Sequence, residues 1–183
     1  MTSSTVLLEQ LRNSDPAQRR KAVRELTRFP EEKPVVEALC EALGDPNKGV
    51  QNITIEALAS MRHENTVYGL IPVVKSSDLN TRNAGMTILR NLGPMAIPPL
   101  VEALGASEDV DEIIQILVIL GDIKSPLATD HVIKFINHDD DNVKTTAVES
   151  LGKIQDPKAV DMLMETYKTS DILKYSVVEA LGN

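Results

Sequence analysis

The sequence predicts an all-α solenoid of about six stacked helix pairs, and three observations carry that prediction. One leucine near the end of each apolar segment recurs at Leu26, Leu58, Leu89, Leu120, Leu151 and Leu181, in steps of 32, 31, 31, 31 and 30 residues. The apolar residues before it fall at helical spacing, as Val143, Ala147, Val148 and Leu151 do, and no segment alternates with period two. An aspartate stands eleven residues before four of these leucines, at Asp15, Asp78, Asp109 and Asp140; Asp45 lies thirteen before its leucine and Asp171 ten before. A fixed period of this length over a whole chain marks an array of one supersecondary unit.

Each period holds a shorter first helix and a longer second one. The boundaries read as a single repeat domain over 1–183, with repeats at about 6–26, 34–60, 67–92, 97–120, 127–151 and 158–182. In the first, "VLLEQLRN" is followed by Asp15-Pro16, a side-chain acceptor at an N-cap with proline at the first helical position. The second opens at Pro34 with "VVEALCEAL", repeats the signal at Asp45-Pro46, and carries Val50, Thr54, Ile55 and Leu58 on its second helix. The third pairs "VYGLIPVVKS" with the helix ending at Leu89 and "NLGP". The fourth pairs "IPPLVEAL" with a stripe of Glu112, Ile116, Leu117 and Leu120 before "LGD". The fifth pairs "DHVIKFIN" with the helix ending in "LGK", and the sixth pairs "AVDMLMETY" with Leu173, Val177, Val178, Leu181 and "LGN". The glycines of these endings suit left-handed C-caps. Pro34, Pro98, Pro126 and Pro157 lie at or near first-helix starts, where proline costs no internal hydrogen bond.

Composition narrows the function classes. Aromatic residues are 3% of the chain, with no Trp, which is poor for a β-sandwich and for stacking bases. The net charge of −8 disfavours general nucleic-acid binding. Cys40 is the sole cysteine and sits in an apolar run, where it reads as a small core residue. The opening "MTSSTVLLEQLRN" has no basic region before its short apolar core, and "IIQILVIL" is too short to span a membrane. These readings point to a cytoplasmic protein. Charge is divided along the chain: residues 1–92 hold twelve Lys+Arg and eleven Asp+Glu, and residues 93–183 hold seven and sixteen. Arg20, Arg24 and Arg28 stand four apart on one helix face, either as a solvated face or as a contact for an acidic partner or the acidic end of another copy.

The stretch "DDDNVKTTAVESLGKIQDPKAV" resembles a HEAT repeat, in the short form found in phycobilisome lyase subunits and many bacterial proteins. The resemblance runs from about Val6 to Leu181 and implies a solenoid whose first helices line a convex side and second helices a concave side. The family's valine falls at Val50 and Val143, with Leu173 standing in. Its arginine falls at Arg19 and Arg82, with Lys144 and Lys174 as cationic stand-ins and departures at Gln51 and Ile113. In the family this residue pairs with loop aspartates, which implies a structural polar ladder between repeats.

No constellation marks catalysis. His63-Glu64 is one His-Glu pair, whereas the HEAT-type deoxyhypusine hydroxylases need several. "HDDD" at 138–141 reads as an acidic N-cap and first turn. The nucleophile elbow, phosphate loop and paired-cysteine signatures are absent. The expectation is a non-catalytic interaction or scaffold module with no cofactor and no metal. It would bind another protein or peptide, with neither nucleic acid nor membrane as partner. A subunit of the phycobilin lyase type, which would work on a tetrapyrrole with a partner chain, is the alternative the resemblance implies. A HEAT-like DNA glycosylase would need aromatics and a basic face.

On each second helix the positions six and two before the anchor leucine point away from the buried stripe, at ~100° per residue. They form the predicted partner-binding strip: Arg20 and Arg24, Asn52 and Glu56, Asn83 and Thr87, Ile114 and Val118, Thr145 and Glu149, Tyr175 and Glu179. Ile114 and Val118 are the anomaly, read either as core buried by curvature or as an apolar anchor within the strip. The last helix keeps an apolar stripe of Val177, Val178 and Leu181. Two expectations follow: the chain is a piece of a longer solenoid, or it self-associates through its C-terminal repeat.

Overall fold

The computed structural model describes residues 3–182, and among them it is helical with no strand. The chain folds as two compact units, Met1–Leu92 and Gly93–Asn183, each with three of the predicted repeats. The first unit holds α1 (Ser4–Gln10), α2 (Pro16–Leu26), α3 (Lys33–Ala42), α4 (Lys48–Ser60), α5 (Glu64–Leu70) and α6 (Leu79–Leu92). The second holds α7 (Ile97–Ala106), α8 (Val110–Ile123), α9 (Thr129–Val132), α10 (Asp141–Ile154), α11 (Val160–Thr169) and α12 (Lys174–Gly182). Odd-numbered helices are the first of each pair, and even-numbered ones the second. Second helices pack side by side within each unit: α2 on α4, α4 on α6, α8 on α10, and α10 on α12. The fold is thus an all-α solenoid of helix pairs, in which neighbours bury apolar stripes that one pair cannot bury alone. No described helix is long and apolar enough to cross a membrane.

Local chemistry sets the helix starts. Asp15, Asp109 and Asp140 cap α2, α8 and α10, each accepting from backbone N–H groups of the first turn. Asp45 departs from the expected pattern. Here Asn47 is the N-cap of α4, accepting from Gly49 and Val50, and Pro46 lies outside the helix. The two extra residues before Leu58 release the Asp45 carboxylate for another partner. Two first helices are broken. Pro72 lacks an N–H and ends α5 in a 3₁₀ turn, Pro72–Lys75, and α9 passes into a 3₁₀ segment, Ile133–Asn137.

Five anchor leucines are core: Leu26, Leu58, Leu89 and Leu120 are fully buried and Leu151 is 1% exposed. Leu181 was expected to match them but is 38% exposed, and Val178 is 58% exposed. The buried residues of α12 are instead Val177 and Ala180, with Leu173 buried just before the helix. The reason is at Gly152, where an added Cβ would lie 2.6 Å from the α-carbon of Ala180. Such close approach needs the smallest side chains where the helices meet, so α12 turns Ala180 toward α10 and its leucine away.

The same geometry corrects the expected role of the "LG" glycines. Gly121 and Gly152 lie inside α8 and α10, and the left-handed C-caps are Lys124 and Gln155, at φ 53° and 58°. Gly93 alone follows the expectation, directly after α6 at φ 65°. Gly121 is a packing glycine, since a Cβ there would stand 2.9 Å from the α-carbon of Ser150. Ser150, itself buried, donates its hydroxyl to Leu117 O at 2.8 Å across this junction.

The expected polar ladder is realised between repeats one and two. Arg19 holds Asp45 bidentately, Nε to Oδ2 at 2.7 Å and Nη2 to Oδ1 at 2.8 Å, with both side chains nearly buried. Arg19 Nη1 also donates to Asn13 O at 2.8 Å, and Gln51 Nε2 reaches Asp45 O at 2.7 Å. Arg82 Nη1 lies 3.4 Å from Ser76 O, so all three reach the carbonyl six residues back. The stand-ins behave otherwise: Lys144 pairs with Asp141 and Lys174 with Asp171, each with the aspartate three residues before it. Ile113 has become core, at 3% exposure. Cys40 is buried as expected, and burial, aided by Glu37 and Glu41, pushes its thiol up to about 12.

Two outcomes are expected. Hydrogen bonding from the Arg19 guanidinium holds the Asp45 carboxyl below its ordinary value, so its contribution is present above about pH 3.9 and lost as pH falls through the folded value. The stability gap between wild type and Asp45→Asn, read by urea titration, should be widest near neutrality and close below that pH. A gap unchanged down to about pH 2 would contradict the assignment. Gly121→Ala should cost ~1–3 kcal/mol by overpacking. Gly105→Ala, in α7 with nothing within 4 Å of its added Cβ, should be neutral or stabilising by up to ~1 kcal/mol.

Candidate partner-binding surface

The strip read from the sequence sits on the second helices, and each unit carries its own half. In the first unit Arg24, Asn52, Glu56, Asn83 and Thr87 are exposed, and Arg20 is half-buried. Arg20 is drawn down because Gly49 leaves room for it: a Cβ at Gly49 would stand 2.8 Å from Arg20 Nη1. In the second unit Glu149, Tyr175 and Glu179 are exposed, and Ile114, Val118 and Thr145 are half-buried. Tyr175, at 81% exposure, is the most open large apolar side chain of the described residues. Ile114 and Val118 match neither extreme reading. The core of α8 is Ile113, Ile116, Leu117, Ile119 and Leu120, and the anomalous pair stands at the edge of that stripe with part of each side chain in solvent.

Hydrogen bonding separates committed groups from available ones. Thr145 Oγ1 donates to Asp141 O at 2.8 Å, and Thr87 Oγ1 accepts from Arg90 Nη2 at 3.1 Å. Gln51 is also occupied, with Lys48 on its oxygen and Asp45 O on its nitrogen. The side-chain amides of Asn52, Asn80 and Asn83, by contrast, make no hydrogen bond among the described residues. Each is a donor and an acceptor at once.

Asn83 and Thr87 come together with Gln51, Ile55 and Asn80 in a groove of about 290 Å³ between α4 and α6, with an apolar floor. The sequence reading missed Gln51, Ile55 and Asn80. It chose positions pointing straight out from each helix, whereas a groove between neighbours takes one flank from each. The signal was present, since Ile55 and Gln51 stand three and seven residues before Leu58.

The histidines at the helix starts are structural. His63 Nδ1 accepts Asn65 N–H at 3.2 Å at the N-cap of α5. His138 Nδ1 accepts Asp140 N–H at 3.1 Å, and its ring stacks on Phe135. Asp140 takes the capping role expected within "HDDD". Among the described residues no three His, Cys, Asp or Glu side chains gather as a metal-binding group.

The model of HEAT repeats matches the sequence in three overlapping segments, 4–90, 36–117 and 97–182. The chain belongs to the HEAT-repeat family. None of the curated proteins matches it in sequence. Among solved structures, it is similar to the TOG3 domain of Drosophila melanogaster Mini spindles at 14% identity and a TM-score of 0.63, covering 100% of this chain and 95% of that one. Human deoxyhypusine hydroxylase in complex with glycerol is similar at 14% identity and a TM-score of 0.52, covering 98% and 83%. The complex of CpcE and CpcF of phycocyanin lyase from Nostoc sp. PCC7120 is matched at 21% identity and a TM-score of 0.42, covering 96% and 75%. At these identities the likeness is one of fold, and this HEAT-repeat chain's site must be read from its own residues.

Proposed function

We propose that this HEAT-repeat protein is a non-catalytic interaction module that binds a protein or peptide segment along its second-helix face. The observation that carries this reading is the pair of unspent amides, Asn80 and Asn83, that line the α4–α6 groove, with a third, Asn52, exposed on α4. An extended segment brings both N–H and C=O groups, and an amide side chain answers either. Ile55 on the groove floor in the first unit, and Ile114 and Val118 in the second, supply apolar contact beside polar groups, the usual anatomy of a hot spot. Net charge of −8 and the absence of Trp argue against nucleic acid as the partner. The protein would act in the cytoplasm as a scaffold, with no cofactor.

Photocrosslinking from single benzoylphenylalanine positions tests this in extract of the native host. Asn83 and Tyr175, on the second-helix face, should capture the same protein, and Glu165 on α11 should not. Ile114→Asp should weaken that capture by about tenfold or more while shifting the melting temperature by only a few degrees, because its site is half-exposed. Equal capture from Glu165, or undiminished capture by Ile114→Asp, would overturn the reading.

A further inference from the structure

The first unit has a second groove, larger than the first and on the opposite helices. It lies between α3 and α5 and encloses about 480 Å³. Gly69 creates it. A Cβ on Gly69 would stand 2.5 Å from Val36 Cγ1 and 3.4 Å from Cys40 Sγ, so the bare glycine lets α5 lie close against α3, and the trough runs over this junction. Val36, Cys40 and Gly69 make the floor. Pro72 then ends α5, and the 3₁₀ turn that follows widens the trough toward Val73. The volume is within the range of ~300–1,000 Å³ that holds specific ligands.

The rims of this trough differ. Along α3 stand Lys33, Glu37 and Glu41, four residues apart and all exposed; along the other side stand Asn65, Tyr68 and Pro72. Neither Glu37 nor Glu41 has a hydrogen bond or an ion pair among the described residues. Exposed carboxylates of the chain divide in this respect: Asp141, Asp171 and Glu165 find cations nearby, while Glu56 and Glu149, like Glu37 and Glu41, do not among the described residues. What distinguishes Glu37 and Glu41 is their place: two carboxylates without an ion pair edge an apolar trough, ~6 Å apart along the helix axis, close to the rise of one helical turn.

We propose that this trough docks an amphipathic helix of a partner protein, with apolar residues on the floor and two basic side chains one turn apart against Glu37 and Glu41. A helix laid between two helices buries its stripe as i, i+3, i+4 and i+7 anchors. The charge pattern also sets direction. Lys33, at the start of α3, favours the carbonyl end of the incoming helix beside it. This site is distinct from the amide-lined groove, since it is built chiefly from the first helices α3 and α5 and shares no lining residue with that groove.

The test uses the whole chain and three probes. The first is a fluorescein-labelled helical peptide of about fourteen residues, with leucines on one face and two lysines one turn apart. The second is the same peptide with glutamates for lysines, and the third is benzamidinium alone. The lysine peptide should bind at least about tenfold more tightly than the glutamate peptide and shift the amide resonances of Gly69 and Val73. Glu37→Lys with Glu41→Lys, both at exposed positions, should abolish that preference, whereas Glu9→Lys on α1 should preserve it. Equal binding of the two peptides, survival of the preference in the double variant, or shifts confined to α4 and α6 would each overturn the proposal. Benzamidinium shifting the same amides with affinity equal to the peptide's would assign the trough to a small cation and overturn the helical partner. Self-association that depends on Glu37 and Glu41 would overturn it in favour of a second copy.

Discussion

Neighbouring second helices touch at positions where a side chain would not fit. At Gly121 an added Cβ would meet the backbone of Ser150, and at Gly152 it would meet that of Ala180. Backbones that near let Leu117, Leu120, Val148 and Leu151 bury completely or almost so, and let Ser150 spend its hydroxyl on a carbonyl of the adjacent helix. The phase of each helix follows from this close approach. In α12 it overrides the leucine periodicity, burying Ala180 and turning Leu181 outward. Outward positions are fixed by the same rotation, so the packing that holds the stack also decides which residues a partner can reach.

The first unit adds a polar tie to this apolar rule. Arg19 is spent on Asp45 and on carbonyls of its own loop, and little of either charged side chain reaches solvent. Arg20 and Arg24, on the same helix, have no such partner among the described residues. One helix therefore carries a structural arginine beside two available ones, and position relative to the stripe separates the roles. Asn47 and Asp45 divide labour similarly, one capping α4 and the other receiving the guanidinium. Two grooves of this unit have different chemistry: amides edge the one between α4 and α6, and carboxylates edge the one between α3 and α5.

The repeat was legible because leucine spacing, helical stripes and aspartate caps agree in register, and each has a local cause. Six helix pairs, the buried Cys40 and the Arg19–Asp45 tie could be read this way, the last through family resemblance. What escaped the sequence depended on how helices meet. The "LG" glycines look like C-caps by position, and only the distance from Gly121 to Ser150 shows that they are packing residues. Leu181 matches the other anchors in register and differs in its neighbour. The trough beside Gly69 was hidden for the same reason, since a glycine in "VYGL" tells of a missing side chain without telling what lies opposite. The outward strip was half-legible: the sequence found Asn83 and Thr87 but not the flank that Gln51 and Ile55 supply from the next helix.

If close packing between second helices is what holds a unit together, protection from solvent should be greatest where a second helix has another on each side. In the second unit α10 packs between α8 and α12, while α12 packs on α10 and α11. Native-state hydrogen exchange read by NMR should therefore find the amides of Val148 and Leu151 exchanging at least about tenfold more slowly than those of Val177 and Ala180. The amides of α11 should exchange faster than those of α10 as well. Equal protection across α10, α11 and α12 would contradict the account, because stability would then not come from the close packing of second helices.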